Sequence, residues 1–311
     1  MPAASLPRPL KGIVPPMVTP LSSRDSLDHY GLSRLVEHLL SGGVSGLFLL
    51  GTTGEGPSLH YRLRYELVEK TCELVAGRVP ILVGVTDTSL VEAVELAKFS
   101  REAGAAAIVA APPYYFPVEQ PLLLTYLQRL ADESPLPLFL YNMPSCVKVM
   151  LAFETVETLA RHSNVVGLKD SSGDMDYFQR ALTLRDLRPD WTILMGPEQR
   201  MAESVLLGSD GGVTGGANLN PRLFVDLYEA ASRREQPTVD RLQAEVIALS
   251  RIYNVGGSGM APYLCGLKCA LELADLCSGQ LAEPFTAFGS TEQNQVESLL
   301  VEMNLLTVST M

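Results

Sequence analysis

The stretch Val165-Val166-Gly167-Leu168-Lys169-Asp170-Ser171-Ser172-Gly173-Asp174 sets a short apolar run directly against a polar, glycine-bearing one. A β-type run that ends this abruptly reads as a buried parallel strand feeding a loop. The same unit recurs in both directions along the chain. Strands are expected over 12–19, 46–50, 81–85, 107–110, 138–141, 165–169, 192–195 and 211–214, eight in all. Between them, apolar residues recur at three and four positions over 30–40, 59–76, 89–103, 121–133, 152–162, 175–184 and 199–207, the helical period. Eight such alternations point to an α/β fold, a (β/α)8 TIM barrel, more than to an open doubly wound sheet. A dinucleotide-binding sheet would carry GxGxxG after its first strand, where this chain has Thr19-Pro20-Leu21-Ser22. Beyond Pro221 the pattern is helical only, over 223–233, 238–255, 261–276 and 292–305. The expected organisation is therefore a barrel over 1–221 and a helical appendage over 222–311 packed on it. No Gly- or Ser-rich linker and no low-complexity segment interrupts it.

Composition narrows the function classes. The chain has 311 residues, 47% of them hydrophobic and 19% charged, enough to bury a sizeable core. A formal net charge of −11 argues against nucleic acid or an anionic membrane as partner, since both need clustered Lys and Arg. No apolar stretch reaches the roughly 18 residues needed to span a bilayer, and residues 1–9 carry no apolar signal core, so a cytoplasmic protein is expected. Five scattered cysteines, Cys72, Cys146, Cys265, Cys269 and Cys277, read as reduced thiols. Neither they nor His29, His38, His60 and His162 show metal-ligand spacing, and no metal is expected.

In a barrel of this kind the reactive residues sit at the C-terminal ends of the strands and in the loops beyond them. Lys169 is one such residue. Desolvation lowers an amine's pKa, and a partly neutral lysine at a strand end can attack a carbonyl and form a Schiff base; taken alone it reads equally as a lysine that snorkels to the rim. After the second strand, Gly51-Thr52-Thr53-Gly54-Glu55-Gly56 offers converging backbone N–H groups and two hydroxyls, which suits a carboxylate, or is simply a capped turn. The fourth strand leads into Pro112-Pro113-Tyr114-Tyr115-Phe116-Pro117 and the fifth into Tyr141-Asn142-Met143-Pro144-Ser145-Cys146. Tyr141 and Lys169 thus end adjacent strands, and a tyrosine beside a reacting carbonyl can shuttle protons if its hydroxyl is held in a relay. The Gly211-Gly212-Val213-Thr214-Gly215-Gly216-Ala217-Asn218 stretch has the glycine content of a phosphate loop but no basic residue, and is read as letting backbone approach the ligand. Lys148, the rival nucleophile, follows a proline-containing loop and is expected to be exposed.

As a set, these motifs resemble the dihydrodipicolinate synthase and N-acetylneuraminate lyase family of pyruvate-dependent class I aldolases. The family's GTTGE loop matches residues 51–55, its PYY loop 113–115, its YNxPS segment 141–145 and its GxK strand end 167–169. The resemblance implies Lys169 as the Schiff-base lysine and Tyr141 as the proton-relay tyrosine. It implies Thr52 and Thr53 as carboxylate binders and relay partners, and Tyr115 as the residue that completes the relay from a neighbouring subunit. That last role implies an oligomer, usually a tetramer built as a pair of dimers. Gly196 and Val213 fall where the family lines the keto-acid pocket. No cofactor is implied.

One position departs from the family. Members that make dihydrodipicolinate carry an arginine just after YNxPS, where it binds the aldehyde's carboxylate; this chain has Cys146, and a thiol cannot replace a bidentate guanidinium. The segment from Lys169 through Ser171 and Ser172 looks more like members that act on 2-keto-3-deoxy sugar acids or 4-hydroxy-2-oxoglutarate, with Ser171 and Cys146 at the acceptor end. The resulting expectation is a lyase that makes or breaks a C–C bond between pyruvate and an aldehyde. Dehydration of a keto-deoxy sugar acid through the same imine, dihydrodipicolinate synthesis, and keto-acid binding without catalysis are the competing readings.

Overall fold

The computed structural model describes residues 4–306. Eight parallel strands form one sheet: β1 (Gly12–Ile13), β2 (Leu47–Leu49), β3 (Ile81–Gly84), β4 (Ala107–Ala110), β5 (Leu138–Asn142), β6 (Val165–Asp170), β7 (Thr192–Met195) and β8 (Gly211–Gly212). Each of β2 through β8 pairs with its neighbour in the chain, and β8 pairs with β1. Closure between β1 and β2 is made just past the end of β1, where Phe48 N donates to Pro15 O at 2.9 Å and Met17 N to Phe48 O at 2.9 Å. The sheet is therefore a closed (β/α)8 barrel, as expected from the alternation.

The first strand is shorter than the expected span over 12–19. Pro15 and Pro16 have no N–H to give to a ladder, so regular pairing stops at Ile13 and resumes only as the Pro16–Phe48 bridge. Two elements were not expected. Leu21–Ser23 and Ser26–Leu27 form a small antiparallel hairpin, and Pro144–Val147 forms one helical turn directly after β5. Helix limits differ by a few residues, as at Gln236–Leu249, after which the expected helix over 238–255 continues only as a 3-10 turn, Ser250–Asn254.

Two apolar layers hold the barrel. Inside lie Leu10, Val14, Phe48, Leu82, Val109, Phe139, Val166 and Leu194; outside, Leu49, Val83, Ile108, Leu140, Leu168 and Ile193 meet the surrounding helices. A register shift decides which layer receives Lys169. Leu138 pairs with Val165 but Phe139 with Gly167, so Val166 is an extra residue in β6. An extra residue reverses the alternation beyond it. Strict alternation from the inward Val166 would send Lys169 outward, whereas the bulge lets both face the interior. Gly167 then has to lack a side chain, because a Cβ there would stand 2.6 Å from the Phe139 ring and 2.5 Å from Thr192 O.

Of the C-terminal helices, Pro221–Ser232 packs against β1, whereas Met260–Leu273 reaches the barrel mouth, where Met260 and Tyr263 face Lys169. The helix Met260–Leu273 buries Lys268, whose Nζ pairs with Glu55 Oε1 at 2.7 Å and donates to Thr19 O and Gln280 O at 2.6 Å. Glu55 Oε2 accepts from Ala282 N at 2.7 Å. The loop after β2 is thereby tied to residues more than two hundred positions later.

Candidate functional site

At the C-terminal end of the barrel, Tyr141 and Lys169 are register partners on adjacent strands. Lys169 is buried, with Nζ 3.9 Å from the centroid of the Tyr141 ring and 4.9 Å from that of Phe48. Its ammonium thus sits between two aromatic faces, which attract a cation through their quadrupoles. Thr52 Oγ1 lies 3.2 Å from the Tyr141 hydroxyl. The adjacent Thr53 turns the other way, with its Oγ1 2.9 Å from the hydroxyl of Tyr263. So Thr52 alone carries the contact with Tyr141 that was expected of the pair.

A 250 Å³ cavity is lined by Thr52, Thr53, Tyr141, Lys169, Ser171, Gly196 and Val213, which brings together seven of the nine residues singled out in the sequence. Ser171 is held there by its own N–H, which donates to Asn142 O at 2.8 Å, and by Gly196, where any Cβ would occupy the space of the serine hydroxyl. The other two do not line this cavity. Cys146 and Tyr115 line a larger, 710 Å³ cavity on the far side of Tyr141 and Thr52, with Phe48, Leu50, Pro57, Met143 and Val147. The Cys146 thiol is pushed up by burial. Tyr115 is 71% exposed, its ring against that of the equally exposed Phe116, and within one chain it does not complete the Tyr141–Thr52 pair. Lys148 is exposed, in a left-handed turn.

Four polar residues of the small cavity were missed: Glu198, Gln199, Tyr253 and Tyr263. Glu198 follows β7, so the strand-end rule that picked out Lys169 could have found it. The two tyrosines come from the C-terminal helices, where no spacing in the sequence marks them. Glu198 is buried; its Oε2 accepts from Gly216 N at 2.8 Å, and the Tyr253 hydroxyl is its polar neighbour, yet neither Oε1 nor that hydroxyl completes a well-formed hydrogen bond. Burial pushes this carboxyl up to about 7, against the partial help of the Gly216 amide. On the outer face of β6, Asp170 is raised to about 6 by burial, despite bonds from Asn142 Nδ2 at 2.8 Å and Ser172 Oγ at 3.0 Å.

A carboxyl raised in the folded state binds its proton more tightly there than in the unfolded chain. Its contribution to stability is present below the unfolded value and lost as pH rises to the folded one. For Glu198 that window runs from 4.5 to about 7. Glu198→Gln, which keeps an acceptor for Gly216, should remove this loss, stabilising the protein at pH 8 relative to pH 5 by on the order of 3 kcal/mol compared with the parent. Thermal melts of both proteins across that range provide the check, and parallel pH profiles would contradict it.

The dihydrodipicolinate synthetase family model matches residues 9–303. A probable 2-dehydro-3-deoxy-D-pentonate aldolase of Escherichia coli (strain K12) is 32% identical over 300 residues, covering 96% of this chain and 98% of its own. The structure of a dihydrodipicolinate synthase from Bacteroides thetaiotaomicron superposes with a TM-score of 0.91 at 49% identity, covering 94% of this chain and 99% of the other. A prophage protein of the same family from E. coli K12, solved in complex with pyruvate, gives a TM-score of 0.90 at 28% identity, with 95% and 99% covered. The chain belongs to the dihydrodipicolinate synthetase family. It is accordingly an enzyme, a class I lyase or aldolase. Among the described residues no helix is long and apolar enough to cross a membrane.

Proposed function

We propose that the enzyme joins Lys169 to a 2-oxo acid, pyruvate in the simplest case, as a Schiff base and cleaves or forms a C–C bond to an uncharged, hydroxyl-bearing aldehyde. The observation that carries this reading is the buried Lys169 in a cavity whose other polar groups are hydroxyls, one amide and one carboxyl. In the cleavage direction, the lysine amine adds to the C2 carbonyl and water leaves. The protonated imine then accepts the electron pair of the breaking C3–C4 bond as an enamine, while the C4 hydroxyl gives up its proton and becomes the aldehyde. Tyr141, whose hydroxyl is 3.2 Å from Thr52 Oγ1, moves that proton in this reading, and Thr52 and Thr53 hold the keto acid's carboxylate. Gly196 and Val213 close the pocket around it, and Tyr115 would complete the relay from a second subunit of a homo-oligomer.

The substrate class follows from charge. Cys146 stands where a guanidinium would receive a second carboxylate, and it lies outside the lysine's cavity. Ser171, Gln199 and Glu198 instead face that cavity, a lining suited to a polyol chain such as that of a 2-keto-3-deoxy sugar acid. The similar pentonate aldolase supports this reading. The likeness to a structure named as a dihydrodipicolinate synthase favours an acidic aldehyde instead.

Incubation with pyruvate and borohydride is the test. A single stable pyruvyl adduct, mapped to Lys169, is expected; its absence from folded protein would refute the Schiff-base reading. Neutral hydroxyaldehydes should then be turned over at least tenfold better than aspartate semialdehyde, given that an unpaired buried carboxylate loses more than one such factor. A product that retains every carbon of a keto-deoxy sugar acid would instead show dehydration.

A further inference from the structure

The glycine-rich stretch after β8 has a use besides letting backbone near a ligand. Gly215 and Gly216 do not adopt positive φ, so backbone conformation does not demand glycine at either position. Space does. A Cβ on Gly215 would fall on the hydroxyl oxygen of Tyr263, and one on Gly216 would stand 2.8 Å from the hydroxyl of Tyr253. Asn218 fixes this seat by donating to Gly215 O and Pro16 O, each at 2.9 Å. The two tyrosine rings meet edge to face, 4.8 Å between centroids. The Tyr263 hydroxyl then meets Thr53 Oγ1 at 2.9 Å, in the cavity that Tyr141 and Thr52 also line.

We infer that Tyr263 is a positioning residue of the keto-acid site: seated on Gly215, its hydroxyl holds Thr53 so that the threonine's own hydrogen faces the bound carboxylate. This rests on the Schiff-base reading above. A carboxylate only accepts hydrogen bonds, and a threonine hydroxyl has one hydrogen, so the Thr53 hydroxyl can serve the carboxylate only if Tyr263 is the donor between the two side chains. Burial keeps the Tyr263 hydroxyl protonated, raising it above the ordinary tyrosine value. The neighbouring threonines thus answer to different tyrosines, one on a barrel strand and one on a C-terminal helix.

The test is borohydride trapping titrated with pyruvate on the parent protein, Tyr263→Phe, Thr53→Val, the double variant and Gly215→Ala. For Tyr263→Phe the half-saturating pyruvate concentration should rise about tenfold while the plateau of adduct stays, the cost of one misdirected hydrogen bond to a charged group. Thr53→Val should show a similar rise, the double variant no further one, and Gly215→Ala should reproduce Tyr263→Phe. A half-saturation within twofold of the parent overturns the inference, as does a second full rise in the double variant. So does a lowered plateau with unchanged half-saturation, which marks a purely structural tyrosine. No adduct on the parent overturns the Schiff-base reading, and this inference with it; an adduct on the parent with unresponsive Tyr263→Phe overturns this inference alone.

Discussion

Lys169→Ala is expected to abolish the pyruvyl adduct and to lower aldol cleavage by on the order of 10⁴-fold or more, the scale on which loss of a covalent nucleophile falls. Among the described residues no other lysine lines the cavity. Lys148 is exposed on the far side of Tyr141, and Lys268 is committed to Glu55. The fold should survive, because the variant removes a buried amine whose nearest described contacts are two aromatic faces. Lys169→Arg is a sharper companion: it keeps a cation against those faces, yet a guanidinium stays protonated and does not condense. Both variants should be folded by circular dichroism and silent in mass spectrometry after borohydride. Retention of full activity by Lys169→Ala would remove the foundation of the proposed mechanism.

The largest effect on stability is expected at Lys268→Met. Its stem length is preserved, but the variant leaves Glu55 charged and buried without its partner and strips the donor from Thr19 O and Gln280 O. Breaking a fully buried ion pair from one side costs about 3–5 kcal/mol. For a chain of this size that is roughly a 5–8 °C fall in Tm. Activity should fall before the melt, since Glu55 lies two residues beyond Thr53 and occupies a left-handed turn that only a fixed environment maintains. A double change of Glu55→Gln with Lys268→Met should recover part of the loss, because no charge is then stranded. An unchanged melting curve for Lys268→Met would mean that the loop is held by its own backbone.

Much of this was legible in the sequence because barrels obey a positional rule. Short apolar runs gave the strands, and reading the residues beyond each run led to Thr52, Tyr141 and Lys169, while Gly196 and Val213 came only from the family resemblance. What stayed hidden was set by geometry that periodicity cannot carry. Nothing in Val165-Val166-Gly167-Leu168 shows which residue is the extra one, yet the bulge decides that Lys169 points inward. The adjacent threonines look equivalent in the sequence, and only the fold sends Thr52 to Tyr141 and Thr53 to Tyr263. The helices after Pro221 carried no strand ends to inspect, so nothing singled out Tyr253 and Tyr263, although they face the same cavity as Lys169. Glu198 obeyed the rule and was simply not weighed.

The tie from Glu55 to Lys268 and Ala282 also has a meaning in time. A ribosome delivers the barrel strands first, and the residues that fix the loop bearing Thr52 and Thr53 emerge long after it. Contacts so distant in sequence are the slowest to form, because the chain loses loop entropy before they repay it. A half-made chain can therefore assemble its sheet with Lys169 already in place while the neighbouring hydroxyls are still unset. The loop bearing Thr52 and Thr53 therefore reaches its final seat only once the helix that carries Lys268 has been made.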